Sequence, residues 1–359
     1  MAKIEFENLL RCPITASELY SLDPSALANL NQRIQDGQIK NQSQEVHRTP
    51  LQGALQSTQA DLFYPIEDGI YCLLPDLALY GNFSSHDTKE VTQRTKANVK
   101  QFYDDFGWKA GEDGVYQDAR DSEDLRQVSE EYILRCHLRL NKHLQQGGTF
   151  LLDVASGPIQ YPAYLTYSEH FTYRVCADIS FRALKEAKKK LADKGIYLLC
   201  DVTNLPLNAQ AMDAVISLHT LYHVPKEEQL KAYDELYRVL KPGGTSVVVY
   251  SWGGRSALMN GLLLPIKAYS YLKRKIVSAK STQVLYFYAH SYRWFQNEIE
   301  AKYSAKLYAW RSVNVPFLKT FIHSKLAGRF LLKLIYWLEN RAPEVMGRIG
   351  AYPLFVAKK

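Results

Sequence analysis

The hydrophobic period of this chain changes at residue 149, and that change limits its fold more than any other feature. From there "TFLLDVAS", "YRVCADIS", "IYLLCDV", "MDAVISLHT" and "TSVVVYSW" are short apolar runs of strand length. "YPAYLTYSEH" reads as a helix between the first two, and "FRALKEAKKKLADKG" and "KEEQLKAYDELYRVLKPGG" read as helices that stop at glycine. A polar turn separates the third run from the fourth. Strands alternating with helices predict an α/β fold with a doubly wound, mostly parallel sheet of Rossmann-like form. In such a sheet a ligand sits beyond the carboxyl ends of the strands.

The residues at those ends describe the ligand. Ala155, Ser156 and Gly157 are small, so backbone can approach a ligand closely. Asp178 closes the second strand, where a carboxylate can accept from both hydroxyls of a ribose. Asp201 closes the third, within reach of an adenine amino group. A dinucleotide fingerprint needs several glycines to open backbone N–H groups to two phosphates. Here Gly157 is alone, Ile159 takes the last glycine position, and Asp153 adds negative charge. The set suits an adenosine that carries a cationic centre rather than a pyrophosphate.

"LLDVASGP", "CADIS", "CDVTNLPL", "MDAVISLHTLYHVP" and "ELYRVLKPGG", in this order, resemble a class I S-adenosylmethionine-dependent methyltransferase over residues 149–252. The resemblance implies a seven-stranded sheet and S-adenosylmethionine as cofactor. It puts Asp153 at the start of the methionine-binding turn, with Ala155, Ser156 and Gly157 beside the amino-acid part. Asp178 holds the ribose, Ile179 lies against the adenine, and Asp201 and Val202 contact its edge. Leu218 and His219 line the methyl-transfer face. Ala155 and Ile159 depart from the family's glycines. Tyr103, in "QFYDDFGW", matches an N-terminal aromatic that closes the pocket in related enzymes; it also reads as a core aromatic.

Three regions follow from the patterning: a small α+β module over 1–80, a helical cap and linker over 81–148, and the methyltransferase-like domain over 149–359 with insertions at 254–282 and 317–349. In the module, "DLFYPIEDGIYCLLPD" is a hairpin pattern around Glu67-Asp68-Gly69. "LLRCPIT" and "YPIEDGIYCLLPD" resemble the small zinc-ribbon-like protein that activates tRNA and translation-factor methyltransferases. Thr15 stands where a second cysteine would be, so that resemblance implies the fold without its metal, fused in cis. In the linker, "DSEDLRQVSEEYILRCHLRLNKHLQQGG" reads as one helix capped by Asp121 or Ser122. "FLKTFIHSKLAGRFLLKLIYWLENR" reads as one long amphipathic helix that packs on a core or lies on a membrane surface.

Five cysteines are scattered with no CxxC pair, which speaks against a closed zinc site and for reduced thiols in a cytoplasmic protein. The "MAKIEFENLLR" start has no apolar segment of signal type. Charge divides the chain: residues 251–359 hold 18 Lys+Arg against 4 Asp+Glu, and the first 250 hold 26 against 33. A basic, aromatic last third attracts anions, whether phosphorylated metabolite, lipid or nucleic acid.

Methyl transfer requires alignment of the acceptor and, for most acceptors, removal of its proton. His219 and His223 in "HTLYHVP" are the candidate bases; each also reads as a residue that bonds a backbone carbonyl. Tyr132, Arg126, Trp252 and Arg293 are candidates to shape the acceptor site, or to serve the fold. The leading reading is transfer to a lipophilic or anionic small molecule. A tRNA methyltransferase of the wobble-uridine type is the alternative, and a non-catalytic cofactor-binding scaffold is a third.

Overall fold

The computed structural model describes residues 6–81, 97–265 and 285–359. The start of the helical stretch before Tyr103 and most of the 254–282 insertion lie outside them. The strands are β1 (Leu19–Ser21), β2 (Ala54–Ser57), β3 (Leu62–Glu67), β4 (Ile70–Cys72), β5 (Leu79–Tyr80), β6 (Gly148–Val154), β7 (Phe171–Asp178), β8 (Gly195–Leu199), β9 (Met212–Leu218), β10 (Leu240–Val249), β11 (Lys306–Arg311) and β12 (Tyr352–Lys358). The helices that matter here are α1 (Pro24–Gln35), α2 (Gln117–Ser122), α3 (Gln127–His137), α4 (Phe181–Leu191), α5 (Gln229–Arg238), α6 (Val315–Phe321), α7 (Gly328–Arg341) and α8 (Pro343–Ile349).

One mixed sheet runs through the molecule in the order β1-β2-β3-β4-β8-β7-β6-β9-β10-β12-β11, with β5 beside β3. The five strands read from the 149–252 alternation are β6 to β10, and each lies parallel to its neighbours among them. Their apolar runs are buried on both faces, as parallel strands under helices must be. β12 joins β10 antiparallel and β11 joins β12, which makes seven strands from β8 to β11.

The sheet does not stop at seven. The Asp68-Gly69 turn, with φ of 51° and 72°, has both residues left-handed, as a two-residue hairpin requires. It brings β4 back to pair parallel with β8, so the N-terminal strands extend the central sheet to twelve. Phe6 and Leu10 share one core with Leu152 and Val215, and the Phe6 and Phe150 rings are 5.7 Å apart. The described residues 6–80 thus pair with the central sheet through β4 and share its core. Where the activator-like pattern would place metal ligands, Cys12 Sγ lies 3.4 Å from the Tyr64 hydroxyl, and Thr15, Ser17 and Ser57 form a chain of hydroxyls. All five cysteines are unpaired and buried. Among the described residues no cluster of His, Cys, Asp or Glu is arranged for a metal, and no helix is long and apolar enough to cross a membrane.

Two predicted helices are broken. Asp121 and Ser122 end α2 rather than cap a long helix, and α3 begins at Gln127. The chain leaves the helix at Glu123, whose backbone is extended and whose carboxylate accepts from Arg311 on β11. The single helix expected at 317–341 is α6 and α7, separated by a short turn in which Ala327 is left-handed at φ 54°.

Candidate active site

A cavity open to solvent on one side lies beyond the carboxyl ends of β6 to β9. Ala155, Ser156, Gly157, Asp178, Ile179, Asp201, Val202, Leu218, His219, His223 and Tyr103 all line it.

The first turn keeps a glycine-like course without the glycines. Ala155, Gly157 and Ile159 have φ of 53°, 56° and 52°. Ile159 is 1% exposed and packs in the core with Leu184 and Tyr164, so its packing holds a conformation that a β-branched residue otherwise avoids. The Asp178 carboxylate locks the turn: one oxygen accepts from Gly157 N at 2.8 Å and the other from Ser180 N at 2.9 Å. Asp201 accepts from Thr203 N at 2.8 Å and its hydroxyl at 2.9 Å. A side chain at Gly157 would meet the Trp108 ring at 3.0 Å, so Gly157 is required for space as well as for φ. Trp108 stacks on Tyr103 with centroids 4.9 Å apart, and its buried Nε1–H has no partner among the described residues.

Asp153 departs from its predicted place. It is 1% exposed and is not part of the cavity wall. Buried Arg174 on β7 donates to it twice, from Nε at 3.0 Å and from the terminal nitrogen at 2.5 Å. The pair fastens β6 to β7 under the turn. An arginine inside the apolar run "YRVCADIS" was the signal that a carboxylate nearby would be taken.

The far side of the cavity comes from other parts of the chain. Asp118 from α2, Glu123 after it, Gln160 and Tyr161 after β6, Tyr164, Arg311 on β11 and Tyr352 on β12 line it. Arg311 is 2% exposed, and its guanidinium lies 4.9 Å from the ring centre of Tyr352, its cross-strand neighbour at a register shift. It donates to Glu123 at 2.5 Å, and His137 Nε2 lies 3.8 Å from the other Glu123 oxygen. Burial alone would raise the Glu123 carboxyl, but the Arg311 charge and His137 outweigh it and hold it down at about 2. Asp118 has no such partner. Burial pushes it up to about 6; a hydrogen bond from Gln160 opposes this, and the charges of Asp121 and Glu123 add to it.

Both histidines are pushed below the ordinary imidazole range. Burial, then the Arg311 charge, pushes His219 down to about 3. Burial pushes His223 down to about 4, against a hydrogen bond to a backbone carbonyl. That bond, Nδ1 to the Tyr286 oxygen at 2.7 Å, makes Nδ1 the donor and leaves Nε2 as acceptor.

The four residues read as shaping the acceptor site stand elsewhere. Tyr132 is buried and donates to Glu339 at 2.7 Å. Arg126 pairs with Asp124 and donates to the Leu318 and Ile322 carbonyls, which joins α3 to the end of α6. Trp252 is in the core, with its indole N–H on the Gly347 carbonyl at 2.8 Å. Arg293 is exposed on a separate helix and is not part of the cavity wall. Tyr132, Arg126 and Trp252 each satisfy a local need of the fold.

Residues 152–248 match the methyltransferase domain family. The ubiquinone/menaquinone biosynthesis C-methyltransferase of Desulfotalea psychrophila is 35% identical over 102 residues, 28% of this chain and 41% of that protein. The demethylmenaquinone methyltransferase of Clavibacter sepedonicus is 32% identical over 154 residues, 42% of this chain and 61% of that protein. A probable tRNA methyltransferase 9B of Mus musculus is 41% identical over 56 residues, 15% of this chain and 12% of that protein. The chain thus spans less than two thirds of the length of each of these relatives.

Proposed function

We propose that this chain is an S-adenosylmethionine-dependent methyltransferase acting on a small-molecule acceptor. One observation carries the reading: a single cavity is walled on one side by the left-handed turn and strand-end carboxylates, and on the other by an aromatic chamber holding buried charges. The match of residues 152–248 to methyltransferase domains supports it.

When bound, S-adenosylmethionine supplies an electrophilic methyl group on a cationic sulfur. Asp178 and Asp201 are the acceptors for its ribose and adenine, the turn at 155–157 admits its amino-acid part, and Trp108 offers an unpartnered N–H to the same space. Excess carboxylate on this side suits a ligand with cationic groups. Tyr103 stands within electrostatic reach of both Asp178 and Asp118, at the junction of the two sides.

On the acceptor side Tyr161, Tyr164 and Tyr352 exclude water and give flat apolar contact to a lipophilic or cyclic acceptor, while Arg311 offers charge to an oxygen-bearing group. Asp118 is the proton acceptor. It faces the cavity, and its affinity for a proton lies closer to neutrality than that of either histidine. His219 and His223 are then neutral walls, with His223 Nε2 available to accept a hydrogen bond.

The experiment is equilibrium binding of S-adenosylmethionine to the full chain, followed by methyl label from that cofactor in a cell extract. Binding, with label in the small-molecule or lipid fraction, supports the reading. Label that nuclease releases from RNA supports the tRNA alternative, which the 56-residue similarity favours. No binding by the chain refutes both.

A further inference from the structure

Helix α7 is apolar on two opposite sides. At 3.6 residues per turn, Leu332, Ile335 and Glu339 fall on one side, and all three are buried. Glu339 is held there by Ser312 and Tyr132, at 2.6 and 2.7 Å. That is the ordinary inward face of a surface helix. Phe330, Leu334 and Trp337 fall on the opposite side, with Leu338 at its edge, and they are 71%, 42%, 57% and 40% exposed. A helix that covers one face normally turns polar groups to water on the other. This one presents a second row of large side chains over two turns, and clustered exposed apolar surface of this kind marks an interaction site.

The charges beside the row identify the occupant. Lys325, Arg329, Lys333, Arg341 and Arg348 are all exposed on or next to α7. Glu344 is the one exposed acidic residue between 319 and 349, since Glu339 faces inward against Arg139 at 2.8 Å. Protein–protein interfaces are enriched in aromatic residues but depleted in lysine. Helices that lie in a membrane interface combine Trp, Phe and Leu on one face with Lys and Arg around them. Each such cation adds attraction to an anionic lipid surface.

We propose that the outer face of α7 docks this protein on an anionic lipid surface. Phe330, Leu334 and Trp337 enter the headgroup boundary, and Arg329, Lys333 and Arg341 meet the lipid phosphates. The helix lies in the plane of the surface. The inference stands on this outer face and is independent of how the cavity is read.

The test is flotation of the full chain with vesicles of phosphatidylglycerol and phosphatidylcholine, against vesicles of phosphatidylcholine alone, at low and moderate salt. Binding to the anionic vesicles should exceed binding to the neutral ones and fall as salt rises. Phe330→Ser with Trp337→Ser, both at exposed positions, should weaken it about tenfold or more, because the apolar area entering the lipid is lost. Arg329→Glu with Lys333→Glu should weaken it in a salt-dependent way and leaves the apolar row in place, so a fault in one pair does not hide the result of the other. Three outcomes overturn the proposal: no binding by the unaltered chain to anionic vesicles, undiminished binding by both pairs, or a dimer in sedimentation velocity that Trp337→Ser returns to monomer. The last would assign the face to a second copy.

Discussion

The two sides of the cavity are built differently. The proposed cofactor side takes its residues from four consecutive strand ends, and backbone does much of the shaping: left-handed residues at 155, 157 and 159, with Asp178 accepting from the Gly157 N–H of the turn it faces. The acceptor side takes single side chains from α2, the turn after β6, β11 and β12, and an ion pair between Glu123 and Arg311 joins parts of the chain 188 residues apart. A site shaped by backbone tolerates changes in side chain as long as the course of the chain is kept. A site held by buried charges depends on each partner.

Four changes test that contrast, and the first should have the largest effect. Asp118→Asn removes the proton acceptor without changing the shape of the cavity. Turnover should fall about 10²–10⁴-fold, the range of general base catalysis, with cofactor affinity unchanged. In the unaltered enzyme, kcat/KM should fall with acid as the carboxyl is protonated near its value of about 6, and that limb should vanish in the variant. If the limb persists in Asp118→Asn, another group is the base.

Next, Arg311→Met leaves Glu123 buried without its main charged partner. Breaking a buried pair in this way costs about 3–5 kcal/mol, read as a loss in denaturant midpoint. Glu123→Gln added to Arg311→Met should recover part of it; no recovery would mean the pair is not what joins the two regions. The same pair sets an acid limit. The Glu123 carboxyl titrates lower in the folded chain than its ordinary 4.5, so its stabilisation is complete above about pH 4.5 and is lost as the pH falls towards about 2.

Asp178→Ala comes third. It removes an acceptor for the ligand and the lock on Gly157, so cofactor affinity should fall about 100-fold, equal to about 2.7 kcal/mol, by calorimetric titration. Near-normal affinity would remove Asp178 from the cofactor side. The smallest effect is a gain. Ala155→Gly, at φ 53°, relieves a left-handed alanine and should stabilise the chain by about 1 kcal/mol with unchanged cofactor affinity. A loss of affinity there would mean that the backbone alone does not shape the turn.

The contrast also accounts for what could be read in advance. Strand ends were legible because a parallel sheet puts all its carboxyl ends on one rim, so Asp178, Asp201 and Leu218 come together whatever the rest of the chain does. Asp153 was misplaced because its partner, Arg174, sits on the next strand, and sequence order does not reveal cross-strand pairing. Arg311, Tyr352 and Asp118 were missed for a related reason: no local pattern distinguishes an arginine at the end of an edge strand that faces a cavity from one that faces water. Tyr132, Arg126 and Trp252 carried the right chemistry for a site, but Glu339, Asp124 and Gly347 are nearer to them.

By itself the sequence determined the parallel core and the rim on which Asp178, Asp201 and Leu218 stand together, because these depend on short-range period and on residues close to strand ends. The tertiary structure decided the rest: that the N-terminal strands extend the sheet to twelve, that the surroundings of His219 and His223 push both below the ordinary imidazole range, and that Asp118 shares a cavity wall with Arg311. Those outcomes depend on burial and on contacts between residues far apart in the chain, and neither is a property of any local segment.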